Sequence, residues 1–429
     1  MRLLITHGTI VHADRIEKDM NIYIENGKVV MMGQNIEPEA DQVIDAKGLY
    51  ILPGLVDAHC HLRDPGFEYK EDIASGTRSA AKGGFTSVAC MPNTNPVVDN
   101  VSVVNYIIEK AQKEAVVNVY PIGAITKGQE GHELAEMGSM KHAGIIAVSD
   151  DGKPVMSGAV MKKALIYAHQ FGLPVISHCE DLDLADGGCM NEGVTSTIMG
   201  LRGIPSIAED VMVSRELLLA KYTGIPIHLA HVSTKTSVEL IRQAKERGVK
   251  VTAETCPHYF TLTEKACLGY NTLAKMNPPL RTDDDVKAIK EGLRDGTLDI
   301  IATDHAPHHN DEKNVEFEKA LNGIVGFETA LALTYTTLVD KGILSLSQMV
   351  EKLSTKPAQI LGLDKGTVAC GKDADLILVD FDNEYTIDVS GFASKSKNSP
   401  YDGYKVKGRV MATLVSGKAV YTHTAFKGL

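Results

Sequence analysis

The middle of the chain alternates short apolar runs with stretches of helical periodicity, and this rhythm restricts the fold more than any other feature. Between Pro53 and Leu363, eight strand-like runs occur: GLVDAHCHL, FTSVACMPN, VYPIGAIT, GIIAVSDD, LPVISHCE, IPIHLAHVS, KVTAETCPHYF and LDIIATDHAPH. Most of them are followed by a helix candidate such as VSVVNYIIEKAQKEA. Eight strands that alternate with helices are typical of an α/β fold of the (β/α)8 barrel type. The stretch after the fifth run is longer than a loop and a helix need, so we expect extra turns there.

The two ends of the chain have a different pattern, with short alternating strands that break at glycine. ENGK near the N-terminus is a strong hairpin signal. Because head and tail resemble each other, we expect both to pair into one small β-sandwich domain, built from residues 1–52 and 366–429. Residues 53–365 then form the barrel. Two separate β tabs are the alternative.

Composition excludes several classes of protein. The 429 residues carry a formal net charge of −11, which argues against a general nucleic-acid or anionic-membrane surface. An anionic substrate would therefore need a local positive site. No apolar run reaches the roughly 18 residues of a membrane span, and the N-terminus lacks a signal-peptide core, so we expect a cytoplasmic protein. The seven cysteines form no CxxC pair, which fits a reducing compartment.

Seven of the eight runs end in polar groups that could bind or react. These groups are His59 and His61 in the first run, Asn93 in the second, Asp150 and Asp151 in the fourth, His178 in the fifth, His231 in the sixth, His258 in the seventh and Asp304 in the eighth. Barrel active sites lie at the C-terminal ends of the strands. We therefore expect these side chains to meet at one rim.

Strand parity selects among the polar groups. Side chains two positions apart share a face of a strand, so His59 and His61 point the same way and Arg63 continues the series. By the same reasoning His228 and His305 point away from their neighbours in the site, and we leave both out of it.

The histidines and acids at the rim predict a metal site only when they are taken together. A single histidine on a strand is more often a hydrogen-bonded core residue, and one HxH pair is a weak signal. Four histidines with one or two carboxylates and no thiolate suit Zn²⁺ or a similar divalent ion. Six candidate ligands exceed the three or four that one catalytic zinc takes from a protein, so two metals with a bridging carboxylate account for the surplus.

The same motifs carry a family resemblance. VDAHCHLRDPG, MPNTNP, SDDG, SHCED, HVST, ETCPHYF, NPPLR and ATDHAPH resemble the amidohydrolase superfamily, and specifically the bacterial type I dihydroorotases. The resemblance covers nearly the whole chain and is most specific in HCHLRDPG and ATDHAPH. It implies a (β/α)8 barrel with a small β domain from both termini. The implied activity is that of a zinc-dependent cyclic amide hydrolase in pyrimidine biosynthesis, which reversibly closes N-carbamoyl-L-aspartate to L-dihydroorotate.

The resemblance also implies which residues hold the metals. It assigns His59, His61 and Asp304 to one zinc, His178 and His231 to the other, and Asp151 to the bridge between them. Asp304 is in addition the implied catalytic base and acid.

The bridge is the position with open alternatives. Many superfamily members bridge the metals with a carboxylated lysine, which this chain lacks at the end of the fourth run. Asp150 is the alternative to Asp151, and Lys153 beyond it is a weaker one.

A third set of residues is implied for substrate binding. It contains Arg63, Asn93, Asn277, His308 and the backbone groups of Asn322 and Gly323. A guanidinium matches the α-carboxylate that both family substrates keep, although a surface ion pair is the ordinary alternative for an arginine. Turn chemistry beside proline is the alternative for the two asparagines.

Three more expectations concern the surroundings of the site. Glu254 and His258 share parity near the site, and we take them as residues that support the ligands or the structure and not as ligands. We expect Asp57 to orient a ligand histidine, as such sites usually require. We expect the polar stretch APHHNDEKNVEFEKA to form a solvated loop, with a mobile lid as the alternative.

Rival functions and partners stay open at this stage. A dihydropyrimidinase or allantoinase would hydrolyse other cyclic amides, but such enzymes generally carry the bridging lysine. An inactive, metal-free barrel could serve as a partner of aspartate transcarbamoylase, but such chains tend to lose ligands. We expect a small anionic substrate, a homodimer and no nucleic-acid or membrane partner. The sequence leaves open whether the chain associates with aspartate transcarbamoylase.

Overall fold

The computed structural model describes residues 2–426. In chain order its strands are β1 (Arg2–Val11), β2 (Ile16–Glu25), β3 (Lys28–Gly33), β4 (Gln42–Asp45), β5 (Tyr50–Pro53), β6 (Leu55–Cys60), β7 (Phe85–Cys90), β8 (Asn118–Pro121), β9 (Val148–Ser149), β10 (Val175–Ser177), β11 (Met190–Asn191), β12 (Gly203–Ile204), β13 (Ile227–Leu229), β14 (Val251–Thr255), β15 (Ile300–Ile301), β16 (Leu376–Thr386), β17 (Lys405–Val415) and β18 (Lys418–Thr422). Among these residues, no helix combines the length and the apolar character that crossing a membrane requires.

The helices mostly lie between the central strands. They are α1 (Ile73–Lys82), α2 (Val101–Glu114), α3 (Met137–Ala143), α4 (Gly158–Gln170), α5 (Leu182–Ala185), α6 (Val194–Met199), α7 (Ile207–Thr223), α8 (Lys235–Glu246), α9 (Pro257–Thr261), α10 (Asp283–Asp295), α11 (Asn310–Lys313), α12 (Phe327–Thr334), α13 (Leu346–Val350) and α14 (Lys356–Leu361). Side-chain caps start several of them immediately after the strand-to-helix loops, as Asn100 does for α2 and Thr234 for α8.

Eight parallel strands close into a barrel. β6, β7 and β8 form one parallel sheet, and β9, β10, β13, β14 and β15 form another. Single bridges from Gly123 to Val148 and from Cys60 to His305 join the two sheets at both edges. Each of the eight apolar runs supplies one of these strands, so the predicted (β/α)8 barrel is confirmed. The expected extra turns after the fifth run are α5, β11, α6 and β12.

Strands from both ends of the chain form one sheet beside the barrel. Its order is β18-β17-β16-β5-β1-β2-β3, with β4 paired to β1. The antiparallel pairing of β5 with β16 connects the N-terminal strands to the C-terminal ones, with Pro53 opposite Leu376. The prediction of one β domain built from both termini is therefore confirmed, and two separate tabs are excluded. The division into two sandwich layers and the boundaries at residues 52 and 366 stay predictions, and residues 1 and 427–429 lie outside the described range.

The predicted hairpin between β2 and β3 follows from its turn residues. Asn26 and Gly27 have φ values of 51° and 80°. Two consecutive residues with positive φ make the turn whose twist matches that of the flanking strands, and asparagine followed by glycine tolerates it best.

Candidate metal centre and active site

Most of the polar residues predicted at the strand ends meet at one rim of the barrel. A cavity of about 220 Å³ opens there. Its lining includes His61, Arg63, Asn93, Asp151, His178, His231, Asn277, Asp304, His308, Asn322 and Gly323. His59 does not line the cavity; its fully buried side chain contacts Asp151. The structure thus brings the implied metal ligands and substrate-binding residues together, whereas Asp150 and His258, which were also predicted at strand ends, are not part of the lining.

The first candidate metal group contains His59, His61 and Asp151. One nitrogen or oxygen of each lies within 4.8 Å of the others. The Nε2 atom of His59 is 3.3 Å from Oδ1 of Asp151, and Nε2 of His61 is 3.5 Å from its Oδ2. Asp304 lies against the same two histidines, with its Oδ1 3.7 Å from His59 Nε2 and 3.2 Å from His61 Nε2.

The second candidate group contains His178, His231 and again Asp151. Nδ1 of His178 is 2.7 Å from Nε2 of His231. The same two nitrogens are 3.6 and 3.5 Å from Oδ1 of Asp151. Asp151 is therefore the residue that the two groups share, as a bridging ligand would be.

The neighbouring Asp150 has a different surrounding. Its Oδ1 accepts hydrogen bonds from the backbone N–H groups of Ile125 and Thr126, at 2.8 and 3.1 Å. Asp150 thus ties the third strand-end loop to the fourth. Lys153 is exposed in the turn beyond it. Of the alternatives left open by the sequence, only Asp151 has the position of a bridge.

The residues present fit divalent cations. Nε2 of His59 and Oδ1 of Asp151 are buried and have no hydrogen-bond partner among the described residues. Orphaned buried polar atoms are costly. A divalent cation between the imidazoles and the carboxylate would satisfy both atoms, and a donor set of nitrogen and oxygen suits zinc and similar ions.

The charges of the cluster shift its pKa values in opposite directions. Burial alone would lower the pKa of His59, but the carboxylates of Asp151 and Glu254 raise it well above its ordinary value. Burial would raise the pKa of Asp151, yet the histidines around it, His59 first, hold it well below its usual range. A cation that binds here must displace protons from the imidazoles, so its affinity falls as the pH falls.

Glu254 orients His59, a role that the sequence had led us to expect of Asp57. Oε1 of Glu254 is 2.6 Å from Nδ1 of His59, and its Oε2 is 3.1 Å from Nε2 of His228. Asp57 instead accepts from the backbone N–H groups of His59 and Thr303, at 3.2 and 3.0 Å. The expectation for Asp57 was therefore wrong, because its carboxylate holds the two strand ends and not an imidazole.

The two histidines excluded by parity do lie outside the cavity lining. His228 contacts Thr252 as well as Glu254. His305 stacks on Phe327, with ring centroids 4.0 Å apart, and its Nδ1 accepts from the N–H of Gly326 at 3.1 Å. The side chains of both histidines therefore contact other residues of the fold and not the cavity.

Arg63 lies in the wall of the cavity beside His308. Its Nε–H donates to the carbonyl of Pro307 at 3.2 Å, and its Nη2 lies 3.4 Å from Nε2 of His308. Arg63 lines the cavity, and its other guanidinium N–H groups form no hydrogen bond with the described residues.

Asn93 lies on the same side of the cavity, next to His61. Its Oδ1 is 2.8 Å from Nδ1 of His61, and its Nδ2 is 3.5 Å from Oδ2 of Asp151. Asn93 therefore orients a candidate ligand in addition to lining the cavity.

Asn277 lines the cavity and binds Glu180, which is not part of the lining. Nδ2 of Asn277 donates to Oε2 of Glu180 at 2.9 Å, and Nε2 of His178 is 3.2 Å from the same oxygen. This arrangement leaves Oδ1 of Asn277 buried and without a hydrogen-bond partner among the described residues, so it can accept a hydrogen bond from a ligand N–H. We missed Glu180 in the sequence, although SHCED places it only two residues after His178.

Comparisons with known proteins agree with this site. A family model described as dihydro-orotase-like matches residues 48–237. The dihydroorotase of Acetivibrio thermocellus is 63% identical over 401 residues, covering 94% of each chain, and that of Ruminiclostridium cellulolyticum is 59% identical over 421 residues, covering 98% of each.

Solved structures give the same fold. The L-hydantoinase (dihydropyrimidinase) of Arthrobacter aurescens superposes with a TM-score of 0.89 at 28% identity, covering 98% of this chain and 96% of that one. The dihydropyrimidinase of Brevibacillus agri has a TM-score of 0.88 at 27% identity, covering 100% and 96%. With curated relatives this similar over nearly its full length, the chain belongs to the dihydroorotase family.

Proposed function

We propose that this chain is a dihydroorotase, which reversibly closes N-carbamoyl-L-aspartate to L-dihydroorotate with loss of water in pyrimidine biosynthesis. The observation that carries the proposal is the pair of candidate metal groups that share Asp151 and open into the same cavity as Arg63. The family membership supports it. A cytoplasmic location and a homodimer are part of the proposal, as is association with aspartate transcarbamoylase.

We further propose two Zn²⁺ ions per chain. His59, His61 and Asp304 would hold one ion, His178 and His231 the other, and Asp151 would bridge them. When bound, such ions polarise a carbonyl oxygen and lower the pKa of water. The orphaned nitrogen of His59 and oxygen of Asp151 support this assignment.

The chain's own residues bind and orient the substrate in this proposal. The Arg63 guanidinium pairs with the α-carboxylate, which has two oxygens at the spacing of a guanidinium fork. The free Oδ1 of Asn277 accepts a hydrogen bond from a ureido or ring N–H. His308, Asn322 and Gly323 complete the wall of the cavity on the side of Arg63.

Asp304 moves the proton. In ring closure it accepts a proton from the ureido nitrogen as that nitrogen attacks the side-chain carboxyl carbon, and it passes this proton to the carboxyl oxygen that leaves as the C–O bond breaks; a second proton, from solvent, makes that oxygen water. In ring opening it takes the proton of the oxygen that attacks the ring carbonyl and gives it to the leaving nitrogen as the C–N bond breaks. Its Oδ1 lies 3.2 Å from Nε2 of His61, so the histidines that face it favour its ionised form, the form a base needs.

A hydantoinase-type activity is the second candidate, because the solved neighbours are hydantoinases and dihydropyrimidinases. The two candidates differ in the substrate carboxylate, which Arg63 would bind. Assays with L-dihydroorotate, hydantoin and allantoin, each with and without a chelator, separate them. Turnover confined to dihydroorotate supports the proposal, and turnover of hydantoin or allantoin alone overturns it.

A further inference from the structure

Two buried lysines beside the cavity lack the partners that buried cations usually have. The exposed fractions of Lys275 and Lys313 are 5% and 3%. Among residues 2–426, neither ammonium group has a carboxylate within 4.0 Å. An unpaired buried charge is expensive, so these two cations have to be held by other groups.

Both lysines bind backbone carbonyls, and most of these belong to one short segment, residues 318–323, which we call the wall segment. Nζ of Lys275 donates to the carbonyls of Glu318 and Ala320, at 2.9 and 2.7 Å.

Lys313 binds the second half of the wall segment. Its Nζ donates to the carbonyls of Leu321 and Gly323, at 2.7 and 3.1 Å, and to that of Lys275 at 3.2 Å. The two lysines are thereby joined to each other as well as to the segment.

The wall segment borders the substrate cavity, whereas the lysines do not. Leu321, Asn322 and Gly323 line the cavity, and Lys275 and Lys313 are not part of its lining. The carbonyls that bind the lysines therefore point away from the cavity.

Two further backbone groups of the lining part are also held. The Asn322 carbonyl lies 2.7 Å from Nε2 of His308. The Gly323 N–H donates to the carbonyl of Lys275 at 3.0 Å, which fixes a residue whose φ of 129° favours glycine. A Cβ atom at Gly323 would also lie 2.6 Å from Cβ of Ala306. The cavity-lining residues of the wall segment are therefore held through both carbonyl and N–H groups of their backbone.

The orientation of these carbonyls matters for an anionic ligand. A carbonyl oxygen carries partial negative charge, so a free carbonyl in the cavity wall would repel a carboxylate. With the carbonyls turned toward the lysines, the wall beside Arg63 presents less negative charge to the cavity.

The same contacts correct an expectation from the sequence. The stretch after Asp304 was expected to be a solvated loop, but at Lys313 it is buried and bound to three carbonyls. That expectation was wrong for this part of the stretch, because the lysine ammonium group needs acceptors that the folded wall provides.

We propose that Lys275 and Lys313 are positioning residues for substrate binding, which hold the wall segment with the carbonyls of Leu321 and Gly323 turned away from the cavity. This role rests on the proposed function, since it assumes a ligand with a carboxylate. Burial, and after it the neighbouring Lys275, lowers the pKa of Lys313 to about 7.

Steady-state kinetics of lysine variants test the proposal. We expect Lys313→Met and Lys275→Met each to raise KM for N-carbamoyl-L-aspartate about tenfold, the equivalent of one lost hydrogen bond. Because the metal ligands and Asp304 are untouched, kcat should change less than about threefold and the metal content should not change.

Lys352 offers a matched control. It is also buried, with 5% of its surface exposed, and its Nζ donates to the carbonyl of Leu298 at 2.7 Å, before β15 and away from the rim. Lys352→Met should lower the thermal stability and leave KM unchanged. Equal KM values in wild type, Lys313→Met and Lys275→Met would overturn the proposal, as would an equal rise of KM in Lys352→Met.

Failure of the positioning role and failure of the proposed function give different results. If the wild-type protein turns over neither N-carbamoyl-L-aspartate nor L-dihydroorotate, the proposed function is overturned, and the role of the lysines in binding that substrate is overturned with it. Normal wild-type turnover with unchanged KM in both lysine variants overturns the positioning role alone.

Amide hydrogen exchange on the wild-type protein covers the case in which the variants do not fold. The amides of Ala320, Leu321 and Gly323, which donate to backbone carbonyls, should exchange as slowly as those of the barrel strands if the lysines hold the segment in place. Exchange at the rate of an unstructured loop would overturn the positioning role.

Discussion

Replacing Arg63 isolates recognition of the substrate carboxylate from the metal centre. In the structure, burial lowers the pKa of Arg63, and among residues 2–426 no carboxylate lies within 4.0 Å of its guanidinium. Its clear protein acceptor is the carbonyl of Pro307, 3.2 Å from Nε. A guanidinium has five N–H donors, so most of the fork is left for a ligand in the cavity.

The expected loss follows from these contacts. A hydrogen bond to a charged group contributes about 1.5–3 kcal/mol, and a bidentate pair places two of them on one carboxylate. Removing water from the guanidinium and the carboxylate offsets part of this gain. We therefore expect Arg63→Met to lose about 2–4 kcal/mol of binding free energy, or ~30- to 800-fold in kcat/KM. Arg63→Lys keeps the charge and loses the fork, so its loss should be smaller. Because lysine and methionine are unbranched at Cβ like arginine, both variants experience similar strain at a φ of 62°.

The assay compares ligands with and without the carboxylate. KM for N-carbamoyl-L-aspartate and for L-dihydroorotate should rise in Arg63→Met, while the metal content stays at the wild-type value. The inhibition constant of dihydrouracil, which has the same ring and no carboxylate, should not change. An unchanged KM, or an equal loss of affinity for dihydrouracil, would refute the assignment of Arg63 as the carboxylate-binding residue.

Three other perturbations address the remaining parts of the site. Asp304→Asn should keep its metal and lose about 10²- to 10⁴-fold in kcat, and a near-normal rate would remove the proton-transfer role. Asp151→Ala should lower the bound metal toward one ion per chain by elemental analysis, and two retained ions would place the bridge elsewhere. The pKa of Lys313 in the folded protein is lowered to about 7. Its buried charge therefore destabilises the fold fully below pH 7, and this cost disappears as the pH rises toward the pKa of the lysine in the unfolded chain. The free energy of unfolding of the wild type should therefore rise relative to Lys313→Met by up to about 1.4 kcal/mol per pH unit between about pH 7 and 10, and parallel curves would contradict this.

The barrel and the convergence of its strand ends were predictable because both depend on local pattern. Apolar runs separated by helical stretches specify parallel strands, and the period of two along a strand decides which side chains share a face. This period was sufficient to place His59 and His61 at the rim and to leave out His228 and His305. Parity alone could not choose between Asp150 and Asp151, and the choice rested on the family resemblance.

The contacts that orient the site residues could not be predicted, because they join residues that are distant in the chain. His59 and Glu254 are 195 positions apart, and Asn277 and Glu180 are 97 apart. No local signal specifies such pairs, so Asp57, which is close to His59 in sequence, was chosen wrongly. The lysines that hold the wall segment were missed for the same reason, since a lysine in a polar stretch predicts exposure.

The central claim is that two divalent cations at the barrel rim are required for cyclic amide chemistry. The most direct test removes the metal with a chelator, dialyses the protein and titrates Zn²⁺ back while L-dihydroorotate turnover and bound metal are measured on the same samples. We predict no turnover in the stripped protein and a rate that saturates at two ions per chain. Full turnover by the stripped protein, or saturation at one ion per chain, would contradict the claim.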